Sequence, residues 1–158
     1  MVKFSLKEQK AIDEKTTQLK QICSGFCAYS DLANVITKRR VRWLKENLKE
    51  MLEKYKHLSP EEQAWHIIFF EHMKIDPLKS KMTRISPTKI RIDSYNFCPY
   101  LETVKKLKLD TRCICKKVGE PSIQAMCKMI NKKLKFSRNY DNIRPHNKEY
   151  CEEYIEII

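Results

Sequence analysis

Apolar residues recur every three or four positions through the first 75 residues, the spacing expected of amphipathic helices. The pattern predicts one helix over residues 6–22 and a longer one over residues 32–55. A third is predicted to begin at residues 59–62, where serine, proline and two glutamates form a capping box, and to run to about Met73. The N-terminal half is therefore predicted to be helical.

The period changes from helical to alternating after residue 76. Residues 88–94 alternate between polar and apolar side chains, which predicts a half-buried strand. Pro87 indicates that this strand lies at a sheet edge or follows a bulge. Residues 133–140 and 149–157 alternate in the same way and predict two further strands, joined by a hairpin loop.

Two short helices are predicted among these strands, over residues 98–108 and 120–131, because each begins with a proline suited to a first helical turn. The predicted fold class is α+β, with a helical N-terminal half and a small antiparallel sheet of about three strands. The length fits a single domain, 1–158, with a helical subregion 1–75 and a cysteine-bearing α+β subregion 76–158.

The hydropathy pattern bears on location and the charge bears on partners. The longest strongly apolar stretch, within residues 64–70, is far shorter than the ~20 residues that cross a bilayer. The charged N-terminus lacks the apolar core of an export signal, so a cytoplasmic protein without membrane association is predicted. The net charge of +12 is diffuse and would attract anions of any size.

The basic run at residues 37–43 has acidic neighbours one to three turns further along its helix, which favours a solvated face over a nucleic-acid contact. The predicted ligand is a small anionic molecule, nucleic acid is not expected as a partner, and formation of a homo-oligomer is left open. Two glycines in the whole chain exclude a P-loop or a dinucleotide-binding turn, since both need several glycines.

Seven cysteines are many for this length, and they are Cys23, Cys27, Cys98, Cys113, Cys115, Cys127 and Cys151. Reduced thiols serve as packing residues, metal ligands or nucleophiles, and no paired C-x-x-C zinc pattern is present. Cys98 precedes a proline at a predicted helix start, where the helix amides are expected to lower its pKa. His146 lies in the loop before the Cys151 strand, as a base, a metal ligand or a surface residue.

Four short motifs of the C-terminal half carry a family resemblance. They are Asn-Phe-Cys-Pro at 96–99, Leu-Lys-Leu at 107–109 followed by Cys115, the stretch 131–138, and Tyr-Cys-Glu-Glu at 150–153. Residues 96–154 resemble the L-2-amino-thiazoline-4-carboxylic acid hydrolase-like family, with Cys98, Cys115 and Cys151 as the shared cysteines. The chain departs from that pattern where residues 144–147 replace a glycine before the last cysteine. A vinyl-reductase-like ligand-binding domain is a second resemblance.

The resemblance implies hydrolysis of a C–N bond in a small cyclic amino acid that contains sulfur and nitrogen. Such chemistry needs an activated thiol beside a proton acceptor. The residues it would use are Cys98 or Cys115 as nucleophile, His146 or Glu152 for proton transfer, and Arg138 or Arg144 for the substrate carboxylate. The alternative function is a binding or sensing domain for zinc, an iron–sulfur cluster or another cofactor, with a ligand set of Cys98, Cys115, Cys127 and Cys151.

Overall fold

Three helical stretches occupy the N-terminal half of the chain, as predicted. They are α1 (Leu6–Cys23), α2 (Tyr29–Lys54) and α3 (Pro60–Trp65), the last continuing directly into a π-helical segment, His66–His72. The computed structural model describes residues 2–25, 27–146 and 149–158. None of the helices in those ranges combines the length and hydropathy needed to cross a membrane.

The predicted start of α3 is confirmed in detail. The Ser59 amide donates to Glu62 Oε2 at 3.1 Å, which is the glutamate half of a capping box, and the Ser59 hydroxyl donates to the same oxygen at 2.8 Å. Pro60 occupies the first helical position, where its missing N–H would have no partner in any case. The sequence motif therefore accounts for the position of this helix start.

The C-terminal half contains a four-stranded antiparallel sheet with strand order β1-β2-β4-β3. The strands are β1 (Ser80–Ser86), β2 (Lys89–Ser94), β3 (Leu134–Arg138) and β4 (Cys151–Ile157). The three predicted strands are β2, β3 and β4, and β1 is the additional one. Pro87 lies in the β1–β2 turn, beside a register shift between Arg84 and Ser86 that agrees with the predicted bulge. The alternative prediction of an edge position is wrong, because β2 pairs with both β1 and β4.

Short helices connect the strands. They are α4 (Pro99–Leu107), α5 (Thr111–Ile114), which leads into a second π-helical segment, Cys115–Gly119, and α6 (Glu120–Ile130). The α4 and α6 helices match the predicted ones to within about a residue at most ends, whereas α5 and the π-helical segment were not predicted. The fold is α+β, as the sequence predicts.

Two apolar clusters hold these layers together. The larger joins α2, the first π-helical segment and α6 to one face of the sheet, and it buries Ile68, Phe69 and Phe136 almost completely. The smaller cluster joins α1, α2 and α4 to the second π-helical segment around Leu19, Val104 and other aliphatic side chains. The turn between β2 and α4 lies beside α1, α2 and the end of the first π-helical segment. Cys98, at the end of this turn, therefore lies where several elements meet.

Candidate functional site

A cavity of about 540 Å³ lies where α1, α2, the end of the first π-helical segment and the start of α4 meet. Its apolar wall includes Ile36, Trp43 and Ile75. Its polar and reactive residues are Lys15, Arg39, Arg40, His72, Asn96, Cys98 and Tyr100. Within the described ranges, no aspartate or glutamate lines it, so the cavity is a basic one with a thiol at its wall.

Arg40 enters this cavity because α2 places it between two core positions. Ile36 and Leu44 lie four residues before and after it, and both are buried. Its Nη1 contacts Met73 Sδ at 4.0 Å, and no carboxylate oxygen of the described residues lies within 4.0 Å of its guanidinium. Burial, with the nearby cations Arg138 and Arg39, lowers the pKa of Arg40 to about 10. The side chain therefore stays charged at neutral pH.

Tyr100, the second residue of α4, presents a phenol without a partner. Its hydroxyl is fully buried and has no hydrogen-bond partner among the described residues. Lys15 Nζ lies 5.2 Å from the centre of its ring, and that ammonium also contacts Glu14 Oε1 and Gln18 Oε1, each at 3.3 Å. Burial raises the pKa of Tyr100, so the hydroxyl keeps its proton and remains a donor.

Cys98 occupies the N-cap position of α4 and lines the cavity half-buried. The predicted lowering of its pKa is wrong. Burial raises the pKa of this thiol, and Cys151 adds to the rise; amides of the first α4 turn and the Arg144 guanidinium oppose the shift without reversing it. Desolvation disfavours the thiolate more than one short helix end favours it.

Cys115 and Cys151 lie close enough to Cys98 to interact with it electrostatically. Cys115 begins the second π-helical segment, and burial raises its pKa to about 12. Arg144 Nε donates to Cys151 Sγ at 3.4 Å, and its Nη1 donates to the Asn96 carbonyl at 2.7 Å. The structure thus brings together the three cysteines that carry the resemblance. Arg144 links one of them, Cys151, to the turn before α4.

The predicted set of four thiolate ligands is not assembled in the described part of the chain. Cys127 is fully buried on α6 within the larger apolar cluster, and Lys128 is the one charged group that influences its pKa, which burial raises to about 12. In the described part of the chain, no group of three or more Cys, His, Asp or Glu side chains is arranged to hold a metal ion.

Arg138 is held by internal partners. Its Nε donates to Glu153 Oε1 at 2.8 Å and its Nη1 donates to the Cys115 carbonyl at 3.2 Å. Glu153 also accepts from the Ser94 hydroxyl at 2.7 Å. Burial opposes the charge, but the carboxylate raises the pKa of Arg138 above its ordinary value. Gly119 leaves room for this guanidinium, since a Cβ there would lie 2.9 Å from Nη1.

Glu152 and His146, the predicted proton-transfer residues, are engaged outside the cavity. Glu152 accepts from Asn139 and Asn142 side-chain amides at 3.2 and 2.9 Å, and these bonds and one from Tyr154 hold its pKa below the usual value although burial opposes them. His146 Nε2 lies 3.2 Å from Asp110 Oδ1. Neither side chain lines the cavity beside Cys98.

His72 lines the cavity instead and was not among the predicted site residues. Its ring centre lies 4.7 Å from that of Trp43. Burial, together with Arg40, Arg39 and Lys74, lowers the pKa of His72 to about 4, so the imidazole is neutral at physiological pH. Arg40 and Tyr100 also escaped prediction. The sequence did contain a signal for Arg40, because apolar residues lie four positions before and after it on the same helix.

No protein-family model matches this sequence, and no curated protein matches it either. The hydrolase resemblance therefore stays a prediction. The geometry of the cavity and of the three neighbouring thiols is what supports a functional proposal.

Proposed function

We propose that this protein is a hydrolase that opens a C–N bond of a small, anionic cyclic compound containing sulfur and nitrogen, with Cys98 as the nucleophile. The observation that carries the proposal is the position of this thiol at the wall of a basic cavity that no described carboxylate lines. A cavity of about 540 Å³ is in the range of small-molecule sites. The motifs around Cys98, Cys115 and Cys151 add the resemblance to a hydrolase-like family.

Cys98 is a better nucleophile candidate than Cys115 because of access. Cys115 is not among the residues that line the cavity, and burial holds its pKa near 12. Cys98 also has a raised pKa, but this residue lines the cavity that a substrate would fill. Arg144, which contacts Cys151 Sγ at 3.4 Å, lowers the pKa of Cys98 in part and would support negative charge developing among the thiols.

The acceptor of the thiol proton is best sought in the substrate. Burial raises the pKa of the Cys98 thiol and lowers the pKa of His72 to about 4, so transfer of the thiol proton to this imidazole is strongly unfavourable and His72 is a poor base. The ring nitrogen of a cyclic amidine is far more basic. In the proposed step the sulfur–carbon bond forms, the C=N electron pair moves to nitrogen, and that nitrogen takes the thiol proton. The amino group on the same carbon then forms a C=N bond as the ring C–N bond breaks, and its proton goes to the departing nitrogen. Water adds to this carbon, the bond between carbon and the Cys98 sulfur breaks, and Cys98 leaves as the thiol with a carbamoyl group as the product.

The test is a turnover assay with 2-amino-thiazoline-4-carboxylate and related cyclic amidine acids, followed by chromatography of the ring-opened product. We expect Cys98→Ala to abolish turnover, while Cys115→Ala retains it if its fold is intact by circular dichroism. Cys23→Ala serves as the matched control, because this thiol is exposed at the end of α1. Turnover that persists in Cys98→Ala, or none by the native chain on any member of the panel, would reject the proposal.

A further inference from the structure

Two polar groups in the cavity lack the partner that buried polar groups normally have. The Arg40 guanidinium has no carboxylate within 4.0 Å among the described residues, and the Tyr100 hydroxyl has no hydrogen-bond partner there. Both residues line the same cavity. Most buried polar side chains in folded proteins are hydrogen-bonded. A buried phenol without a partner, in the same cavity as a half-buried guanidinium whose side-chain contact is the Met73 sulfur at 4.0 Å, therefore needs an explanation.

An anionic ligand with two oxygens in one plane supplies what these groups lack. The planar guanidinium presents parallel N–H donors that match a carboxylate, and a phenol adds a further donor. Arg40 is also a half-buried cation whose positive charge is disfavoured by the nearby cations Arg138 and Arg39. A bound anion would offset the electrostatic cost of holding this charge away from water.

The other cations near the cavity already have partners. Arg138 is paired with Glu153, and Arg144 donates to Cys151 Sγ and to the Asn96 carbonyl. The Lys15 ammonium contacts two side-chain oxygens at 3.3 Å. Arg39 is mostly exposed and lies 3.9 Å from Glu14 Oε1. Arg40 is therefore the cation that remains available, rather than Arg138 or Arg144 as the resemblance implied.

We propose that Arg40 and the Tyr100 hydroxyl form a carboxylate-binding subsite beside the Cys98 thiol. The subsite deepens the proposed function, and only its role in turnover rests on that function, because it would hold the acid group of the substrate while the amidine carbon faces sulfur. Binding of a carboxylate beside Cys98 is a property of the geometry alone. It can therefore be tested without any turnover.

Two alkylating reagents of nearly equal size test the subsite. Iodoacetate and iodoacetamide react with a thiol at the same carbon and lose the same iodide, but only the first carries a carboxylate. Peptide mass spectrometry gives the rate at each cysteine, and Cys23, an exposed thiol, is the internal reference. We expect the iodoacetate-to-iodoacetamide rate ratio to be at least ten times higher at Cys98 than at Cys23. A change in thiol pKa alters both rates alike and cancels from the ratio.

Substitutions then assign the preference to the two residues. In Arg40→Gln the ratio at Cys98 is expected to fall to that of Cys23, and in Tyr100→Phe it is expected to fall severalfold. Arg42→Gln is the matched control, since it removes an exposed charge of the same helix that does not line the cavity, and it should leave the ratio within twofold. Tyr100→Phe removes only an unpartnered hydroxyl and is expected to fold, so the test survives a failure of Arg40→Gln to fold.

Ligand binding gives a second readout that does not depend on alkylation. Trp43 lines the cavity, and Trp65→Phe leaves it as the sole tryptophan. Thiazolidine-4-carboxylate should change its fluorescence and protect Cys98 from iodoacetamide, whereas the methyl ester should do neither at tenfold higher concentration. Equal rate ratios at Cys98 and Cys23, or equal binding of acid and ester, would overturn the subsite.

The two proposals fail in different ways. A raised ratio at Cys98 without turnover of any substrate would keep the carboxylate subsite and reject the hydrolase. Turnover without a raised ratio, and with acid and ester binding equally, would keep the hydrolase and reject Arg40 and Tyr100 as its carboxylate-binding residues.

Discussion

The ion pair between Arg138 and Glu153 supports the thiol cluster, and its removal has a calculable cost. The two side chains are 10% and 5% exposed, and they meet at 2.8 Å. Glu153→Gln keeps the shape of the side chain but removes its charge. The Arg138 guanidinium, which also donates to the Cys115 carbonyl, would then be a buried cation with no carboxylate beside it.

Breaking a buried pair from one side typically costs ~3–5 kcal/mol, because an uncompensated charge remains. Glutamine can still accept a hydrogen bond, so we expect a loss near the lower end, about 3 kcal/mol in the free energy of unfolding. For a chain of this length that loss corresponds to a fall of roughly 6–12 °C in melting temperature.

Urea unfolding followed by circular dichroism measures this loss. The matched control is Glu156→Gln on the same strand, whose partner Lys89 lies 3.3 Å away and whose pair is 33% and 24% exposed. We expect the control to lose less than about 1 kcal/mol. A double variant with apolar side chains at both positions of the buried pair should recover much of the loss. If Glu153→Gln were no less stable than Glu156→Gln, the account of this cluster would be refuted.

Three further predictions concern a histidine, a glycine and two thiols. Because the pKa of His72 is lowered to about 4 in the folded chain, the unfolded chain binds a proton at this residue at higher pH than the folded chain does. The free energy of unfolding should therefore fall as the pH drops from about 6.5 to 4, and it should fall less in His72→Asn. Urea unfolding at each pH measures both. Gly119→Ala places a Cβ 2.9 Å from Arg138 Nη1 and should lower the free energy of unfolding by about 1 kcal/mol. An unchanged melting temperature in thermal unfolding would contradict this prediction. The exposed thiol of Cys23 should react with a thiol reagent in the native state, whereas the buried thiol of Cys127 should react only after unfolding. Labelling of Cys127 in the native state would contradict its burial in the core.

The elements that the sequence predicted are those in which apolar positions recur at a regular period. Ile90 and Ile92 of β2 are fully buried, so alternation was readable there. Most residues of β1 are exposed, and its apolar residue Met82 is only half-buried. This strand pairs on one side only, with β2. An edge strand of this kind has little apolar periodicity, and its pairing with β2 could not be read from the local pattern.

The candidate site was predicted in part. The resemblance motifs brought Cys98, Cys115 and Cys151 together, and the structure places these three thiols near one another. Arg40 was hidden inside a basic run that indicated a solvated face, although its place between apolar positions of α2 set it apart. The unpartnered hydroxyl of Tyr100 depends on tertiary packing and has no signature in a single sequence.

The direction of the Cys98 pKa shift also depended on tertiary structure. A helix start after Cys98 was correctly predicted, and its amides do lower the pKa of the thiol. Burial between several elements raises that pKa by more, and no local pattern reports how much water a thiol will lose. The two influences could be named from the sequence but not compared.

A covalent adduct on Cys98 tests the proposed reaction most directly. The native chain would be mixed with 2-amino-thiazoline-4-carboxylate, quenched in acid within one turnover, digested and analysed by peptide mass spectrometry. The proposal predicts a substrate-derived mass increase on the Cys98 peptide that appears and decays as product forms, and that is absent in Arg40→Gln at the same substrate concentration. Product formation with no adduct on Cys98, or with an adduct on another cysteine alone, would contradict it.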